Sequence, residues 1–337
     1  MVDGTTVCDH DPAAVRQQRS VALSVAPLLH ADTKINLIDT PGYGDFLGEV
    51  RAGLRAADAA LFVVPAYEGR EGVIDPATVA QWEECAAVGI PRAVVVARCD
   101  HARSDLESTL IACQDAFGSG VAPLYLPIRD GGGALTGLYG LLSQTPAGQA
   151  PPGADESRAG LIEGIIEQSE DETLMDRYLG GEDIEFATLV DDLETAVARG
   201  AFHPVVPVCA TSGVGLDALL EVVVGGFPSP LEHVLPPVSG VDGAEHAPLT
   251  ADPGGPLAAE VVRTSADAYV GRVSLVRVFS GTLRPESTVH VSGHAATGTN
   301  GHDQDGHDAD ERLAHVYAPL GATLREVEAA SPATSAR

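Results

Sequence analysis

The chain has 337 residues, 45% of them apolar, with a mean hydropathy of +0.08, which gives room for two or three soluble domains. Its 48 acidic against 20 basic residues leave a net charge of −28. That excludes nonspecific binding to free DNA or to anionic lipid, because phosphate contacts need clustered Lys and Arg. Docking on a ribonucleoprotein through a few placed arginines stays open. The five cysteines (Cys8, Cys85, Cys99, Cys113 and Cys209) are scattered without a CxxC pair, as in a reducing compartment with free thiols. No apolar run reaches about 18 residues, the length that spans a membrane. The acidic, polar start "MVDGTTVCDHDP" is unlike a signal peptide. A cytoplasmic monomer is expected.

From the start of the chain, apolar β-rich runs alternate with amphipathic stretches. Strands are predicted at 21–29, 34–38, 59–64, 92–97, 122–127 and 205–208, and helices near 45–57, 76–88 and 103–117. Strands separated by helices predict a mostly parallel sheet covered on both faces, with ligands at the carboxyl ends of the strands. Residues 128–200 interrupt this alternation. The turn-rich "RDGGGALTG" and "TPAGQAPPGADE" precede helical patterns at about 156–168, 171–179 and 185–198, so a helix-rich insert is expected. The strand at 205–208 and a helix at 215–224 complete the α/β domain, and "FPSPLEHVLPP" ends it, since repeated Pro forces extended chain. A segment of low order is expected over 238–255. From 256 onward period-two strands with turns predict a small antiparallel β-barrel. The His- and Asp-rich stretch 295–311 fails the spacing of a Ca²⁺ loop and reads as a solvated hairpin loop.

Three short segments carry candidate chemistry. The first is "INLIDTPGYGDF" (35–46), where an apolar strand runs into Asp39-Thr40-Pro41-Gly42. A carboxylate at such a strand end holds Mg²⁺ through water, and a glycine lets its N–H approach a γ-phosphate without a Cβ in the way. Otherwise Asp39 only starts a turn before Pro41. The second is "RAVVVARCDHAR" (92–103). Asp100, just past a buried strand, can accept two hydrogen bonds from a guanine edge while the Arg98 stem packs over the base; capping a following helix is its other possible role. The third is "VCATSG" (208–213), with Thr211 and Ser212, whose backbone amides would meet the guanine O6. Each segment alone is weak. Their order, with Asp100 about 60 residues after Asp39 and a barrel at the end, is specific.

On "RQQRSVALS", "INLIDTPGYGDFLGEVRAGLRAADAALFVV", "VVVARCDHAR", "HPVVPVCATSGVGLDALLEVVV" and "GRVSLVRVFSGTLRP", the chain resembles elongation factor G and, more closely, the bacterial elongation factor G-like translational GTPases. The resemblance covers nearly the whole chain. It implies a GTPase domain over 1–235 with a G′-like insert at about 128–200, a linker at 236–255, and a domain II barrel over 256–330. It also implies GTP/GDP and Mg²⁺ as ligands and the ribosome as partner. Four departures matter. The family's GxxxxGK[ST] phosphate loop precedes everything seen here, and Lys34, the only lysine, sits before a strand in "ADTKIN". Where the family has a Mg²⁺-binding threonine this chain has Ala22, and the guanine-loop asparagine falls at Ala97. The family's catalytic histidine falls at Tyr43, a phenol that can orient water but is not an imidazole. The family's three C-terminal domains are not in the chain. The resemblance thus implies either a piece of such a GTPase or a non-hydrolysing, ribosome-binding module with a degenerate nucleotide fold.

Overall fold

The computed structural model describes residues 6–68, 73–100, 104–143, 149–232, 235, 237–238, 247–267, 271–292 and 308–332. The chain begins with α1 (Pro12–Gln17), β1 (Ser24–His30), β2 (Thr33–Asp39) and α2 (Leu47–Arg55). There follow β3 (Ala60–Pro65), β4 (Tyr67–Glu68), α3 (Pro76–Ala87), β5 (Arg92–Ala97), β6 (Ser104–Asp105) and α4 (Leu106–Phe117). Next come β7 (Val121–Pro123), β8 (Tyr125–Arg129), β9 (Leu135–Gly140), α5 (Ala154–Glu167), α6 (Leu174–Leu179), α7 (Phe186–Ala198), β10 (His203–Pro207) and α8 (Leu216–Gly226). The C-terminal part is all β: β11 (Ala258–Asp267), β12 (Gly271–Ser280), β13 (Thr288–Ser292), β14 (Asp308–Arg312), β15 (Tyr317–Leu320) and β16 (Thr323–Glu326). These elements form two compact units, one of residues 1–41, 46–56 and 230–337, the other of residues 42–45 and 57–229.

In the first unit, β1 and β2 pair antiparallel from Ser24↔Asp39 to His30↔Thr33. Their two-residue connection puts Ala31 and Asp32 at φ 45° and 61°, the twist that suits a tight hairpin. The hairpin makes a two-stranded sheet of its own, in addition to the parallel sheet that the sequence predicts. The reason is covalent: a two-residue loop can only join antiparallel strands, whereas parallel neighbours need a crossover. Asp11 caps α1 by accepting from the Ala13 N–H at 2.6 Å, and Pro12 stands where no N–H is needed. The C-terminal strands pair antiparallel as β11–β12, β13–β14 and β15–β16. Leu283 and Ala330 exchange both main-chain bonds, at 2.8 and 2.9 Å. Val278, Leu283 and Val316 form the core these ladders share.

In the second unit, β3, β5, β10 and β7 form a parallel sheet in that order. The run "RAVVVA" of β5 lies inside it with Arg92 to Val96 all buried, which is why it carries no polar alternation. Asp75 caps α3 through the Ala77 N–H at 2.8 Å, and Asp105 caps α4 through the Ser108 N–H at 3.0 Å. The expected strand at 122–127 is divided between β7 and β8, and "RDGGGALTG" supplies the turn and return strand of a hairpin, β8–β9. The insert therefore opens with β structure before its three helices, whose core is Leu161, Ile165, Leu174, Leu189 and Val197. The stretch 295–311 lies almost wholly outside the described residues, as does 239–246 of the segment expected to have low order.

Under the amino ends of the strands Trp82 stacks on Phe117 at 4.2 Å and meets Phe62 and His203 edge-on at 4.9 and 4.7 Å. The Arg92 guanidinium lies 4.5 Å from the Trp82 ring centroid and donates to the Trp82 and Gly200 carbonyls. Burial, then the Arg92 charge, pushes the His203 imidazole down to about 4 from 6.5. Its Nδ1 is buried without a hydrogen-bond partner. A histidine kept neutral in the fold contributes stability that is full above pH 6.5 and falls as the pH drops towards 4, where the unfolded chain binds the proton first. Roughly 3 kcal/mol should be lost over that window. Urea unfolding followed by the single tryptophan should show it, and His203→Leu should flatten the dependence; an equal loss in the variant would place it elsewhere.

Candidate nucleotide-binding site

Asp39 ends β2 opposite Ser24, and the chain then turns through Thr40, buried Pro41 and exposed Gly42. A Cβ on Gly42 would meet nothing within 4 Å, so its glycine answers no packing need of the described chain. The opposite holds at Gly53 of α2, where a Cβ would lie 2.8 Å from Thr40 Cγ2 and 3.4 Å from Ile38 Cγ2. That close approach packs α2 directly against the Asp39-Thr40 turn. Solvent reaches Asp39, yet packing around it raises its pKa first of all, and the like charge of Asp9 raises it further. A hydrogen bond from the Cys8 thiol acts the other way. Desolvation and the Asp39 charge hold the pKa of Cys8 itself up. Nothing in the sequence pattern signalled Cys8, Asp9 and Ser24 as neighbours of Asp39. Tyr43 is 54% exposed.

The other candidates lie in the second unit, at the carboxyl ends of β5 and β10, which pair in register Val96↔Pro207. Asp100 Oδ2 accepts from Thr211 Oγ1 at 2.8 Å, a contact spanning 111 residues of sequence. Thr211 Oγ1 is also 3.1 Å from Cys209 Sγ, and the turn is closed by the Gly213 N–H donating to the Cys209 carbonyl and the Cys209 N–H to the Val214 carbonyl. Ser212 Oγ accepts weakly from the Val214 N–H at 3.4 Å. At Cys209 burial raises the thiol pKa, but hydrogen bonding with Ser212 and Thr211 outweighs it and the net shift is downward. Arg98 holds φ 60°, a left-handed backbone uncommon for arginine that turns the chain out of β5 towards Asp100.

The loop carrying Asp100 is pinned from below. The Cys99 carbonyl accepts from Ser104 Oγ at 3.0 Å and from Arg129 Nη2 at 3.3 Å, so β8 of the insert steadies the loop. Burial pushes the Cys99 thiol up to about 11, consistent with its Sγ donating to the Val96 carbonyl. Asp100 is not the cap of the next helix: that place belongs to Asp105, and α4 starts at Leu106 rather than near 103. Asp100, Thr211, Ser212 and Arg98 are thus gathered at two adjacent strand ends. Asp39, Thr40 and Pro41 belong to the other unit. Among the described residues no group of three or more His, Cys, Asp or Glu side chains is arranged to hold a metal, and no helix is long and apolar enough to cross a membrane.

A parallel α/β sheet with loops gathered at the carboxyl ends of its strands is the architecture of a nucleotide-binding class of domain. Comparison with known proteins bears this out: the elongation factor Tu GTP binding domain family matches residues 2–229, and the chain belongs to that family. It is 54% identical over 98% of its length to the elongation factor G-like protein of Mycobacterium tuberculosis, covering 47% of that protein. To the elongation factor G-like protein of Thermotoga maritima it is 29% identical over 97% of its length, covering 46%. A solved structure from Thermus thermophilus superposes with a TM-score of 0.75 at 31% identity, over 98% of this chain and 46% of that one. The chain therefore spans about half the length of the curated relatives it matches.

Proposed function

We propose that the chain is the nucleotide-binding and barrel portion of an elongation factor G-type translation factor, whose GTP hydrolysis in the whole protein is coupled to ribosome binding. The Asp100–Thr211 hydrogen bond carries this reading, because it brings the two guanine-recognition segments together at adjacent strand ends. A carboxylate has about four acceptor sites, so the bond from Thr211 leaves capacity for two donors of a guanine edge. In this reading residues 1–235 are the GTPase domain with its insert at about 128–200, 236–255 the linker and 256–330 domain II. The protein works as a cytoplasmic monomer. The Arg98 stem covers the base, and the Thr211-Ser212 amides face O6. Gly42 offers its N–H to the γ-phosphate, and Tyr43 stands in the hydrolytic position. The environment of Asp39 fits a divalent cation held through water: its charged form is disfavoured by packing and by Asp9, which a nearby cation would offset. Mg²⁺ there supplies charge neutralisation for the phosphates.

Equilibrium binding tests the reading. At high nucleotide concentration GDP should be preferred to ADP by about 5- to 100-fold, since an adenine edge does not present the donor pair that a guanine edge offers Asp100, forfeiting about 1–3 kcal/mol. Asp100→Asn should remove the preference. Equal affinities in the unsubstituted chain would sink the assignment. The second reading, a non-hydrolysing module that docks on ribosomes, is favoured by Ala22 and Ala97, which remove an oxygen and an amide that a working site uses.

A further inference from the structure

Leu23, the residue before β1, is 6% exposed, and side chains from two distant segments take both of its main-chain polar groups. Its N–H donates to Glu49 Oε2 at 2.8 Å, in the first turn of α2. Its carbonyl accepts from Arg263 Nη1 at 3.3 Å, on β11. Glu49 and Arg263 are themselves 3.6 Å apart, so the three groups close a ring. The hairpin ladder does not serve Leu23, because its first pair is Ser24↔Asp39. Buried main-chain groups require partners, and here the partners are one acid and one base that also neutralise each other.

The same helix meets the same ribbon at its other end. Arg55 forms an ion pair with Glu260, and the Ala56 carbonyl accepts from Arg277 at 2.6 Å. Glu260 and Arg277 face each other across the β11–β12 ladder. Charges therefore run acid-to-Arg263 at the start of α2 and base-to-Glu260 at its end, which fixes the direction in which the helix lies. A polar cavity of ≈ 340 Å³, lined by Asp9, Asp11, Ala22 and Arg263 among others, adjoins the ring.

We propose that Glu49 and Arg263 are positioning residues that latch the segment at Leu23, the helix after the Asp39-Thr40-Pro41-Gly42 turn, and strand β11 into one mechanical element. The latch gives the C-terminal strands a direct hold on the helix that follows the turn whose Gly42, on the function proposed above, meets the γ-phosphate. Ala22 offers no side-chain oxygen to a metal, so in this chain side chains rather than an ion fix the main chain beside it.

Amide hydrogen exchange on the purified chain, resolved at Leu23 and across 258–267, tests the latch. Glu49→Ala should speed exchange at Leu23 by about 10- to 100-fold, the loss expected for a bond to a charged acceptor. It should also loosen 258–267, more than 200 residues away, without changing tryptophan-monitored unfolding around Trp82. Glu49→Gln, which keeps an acceptor oxygen, should restore most of the Leu23 protection but not the hold on Arg263. Glu49→Ala combined with Arg263→Ala should be no worse than the more damaging single change. Unaltered exchange at 258–267 in Glu49→Ala, or two single effects that simply multiply, would overturn the latch. In the unsubstituted chain saturating GTP should slow exchange at 258–267 more than GDP does, and in the double variant it should not. If no guanine nucleotide binds at all, the functional reading fails while the nucleotide-free exchange still decides the latch.

Discussion

Purified chain should show no GTP turnover, with or without ribosomes, and should hold GDP roughly three to six orders of magnitude more weakly than a GTPase domain with a complete phosphate grip. Its sequence contains no GxxxxGK[ST] loop, and its one lysine, Lys34, lies in β2. Such a loop supplies a lysine, a hydroxyl for Mg²⁺ and several backbone donors. Three charge-assisted hydrogen bonds, at roughly 1.5–3 kcal/mol each, amount to roughly 5–9 kcal/mol of binding. The remaining site is thinned further by Ala22 and Ala97, and Tyr43 offers a phenol in place of an imidazole. Asp39, with Asp9 beside it, is a carboxylate and repels phosphate, so it gives nucleotide no direct hold of its own. Phosphate release measured with purified chain, nucleotide and ribosomes settles the matter. Ribosome-stimulated turnover that Asp39→Ala abolishes would refute the expectation and would give the tyrosine a catalytic arrangement of its own.

Gly215→Ala should destabilise the second unit by about 2–5 kcal/mol, combining a left-handed backbone penalty with overpacking against main chain. Gly215 precedes α8 at φ 86°, and a Cβ there would sit 2.1 Å from the Pro207 carbonyl oxygen and 3.2 Å from Val208 Cα. Neither atom can give way without moving β10. The turn from Cys209 to Val214 lies between these points, so the variant should also displace Thr211 and break its bond to Asp100. Gly213→Ala provides the contrast: its φ is 80°, but a Cβ there meets nothing within 4 Å, and the cost should stay near about 1–2 kcal/mol. Urea midpoints read by Trp82 fluorescence compare the two. Similar losses for both would mean that the close approach to Pro207 is relieved by a small shift.

Much of the second unit was legible in advance because its signals are local. The run "RAVVVA" is a buried strand wherever it occurs in a parallel sheet, and Asp75-Pro76 starts a helix by its own chemistry. The hairpin at 24–39 was legible as two strands but not as an antiparallel pair, because "HADT" carries no Asn-Gly or Gly signal for the left-handed turn that Ala31 and Asp32 make. The extra strand pair β8–β9 was hidden under "RDGGGALTG", whose glycines mark a turn without saying what flanks it.

The sequence by itself determined the order of the motifs and the residue types at each strand end, since these depend only on which residue follows which. Only the tertiary structure decided which groups meet. Asp100 finds Thr211 across 111 residues, and Leu23 finds Glu49 and Arg263 across 26 and 240. Such pairs are set by strand register and by the need of buried polar groups for partners, and neither leaves a periodic trace along the chain.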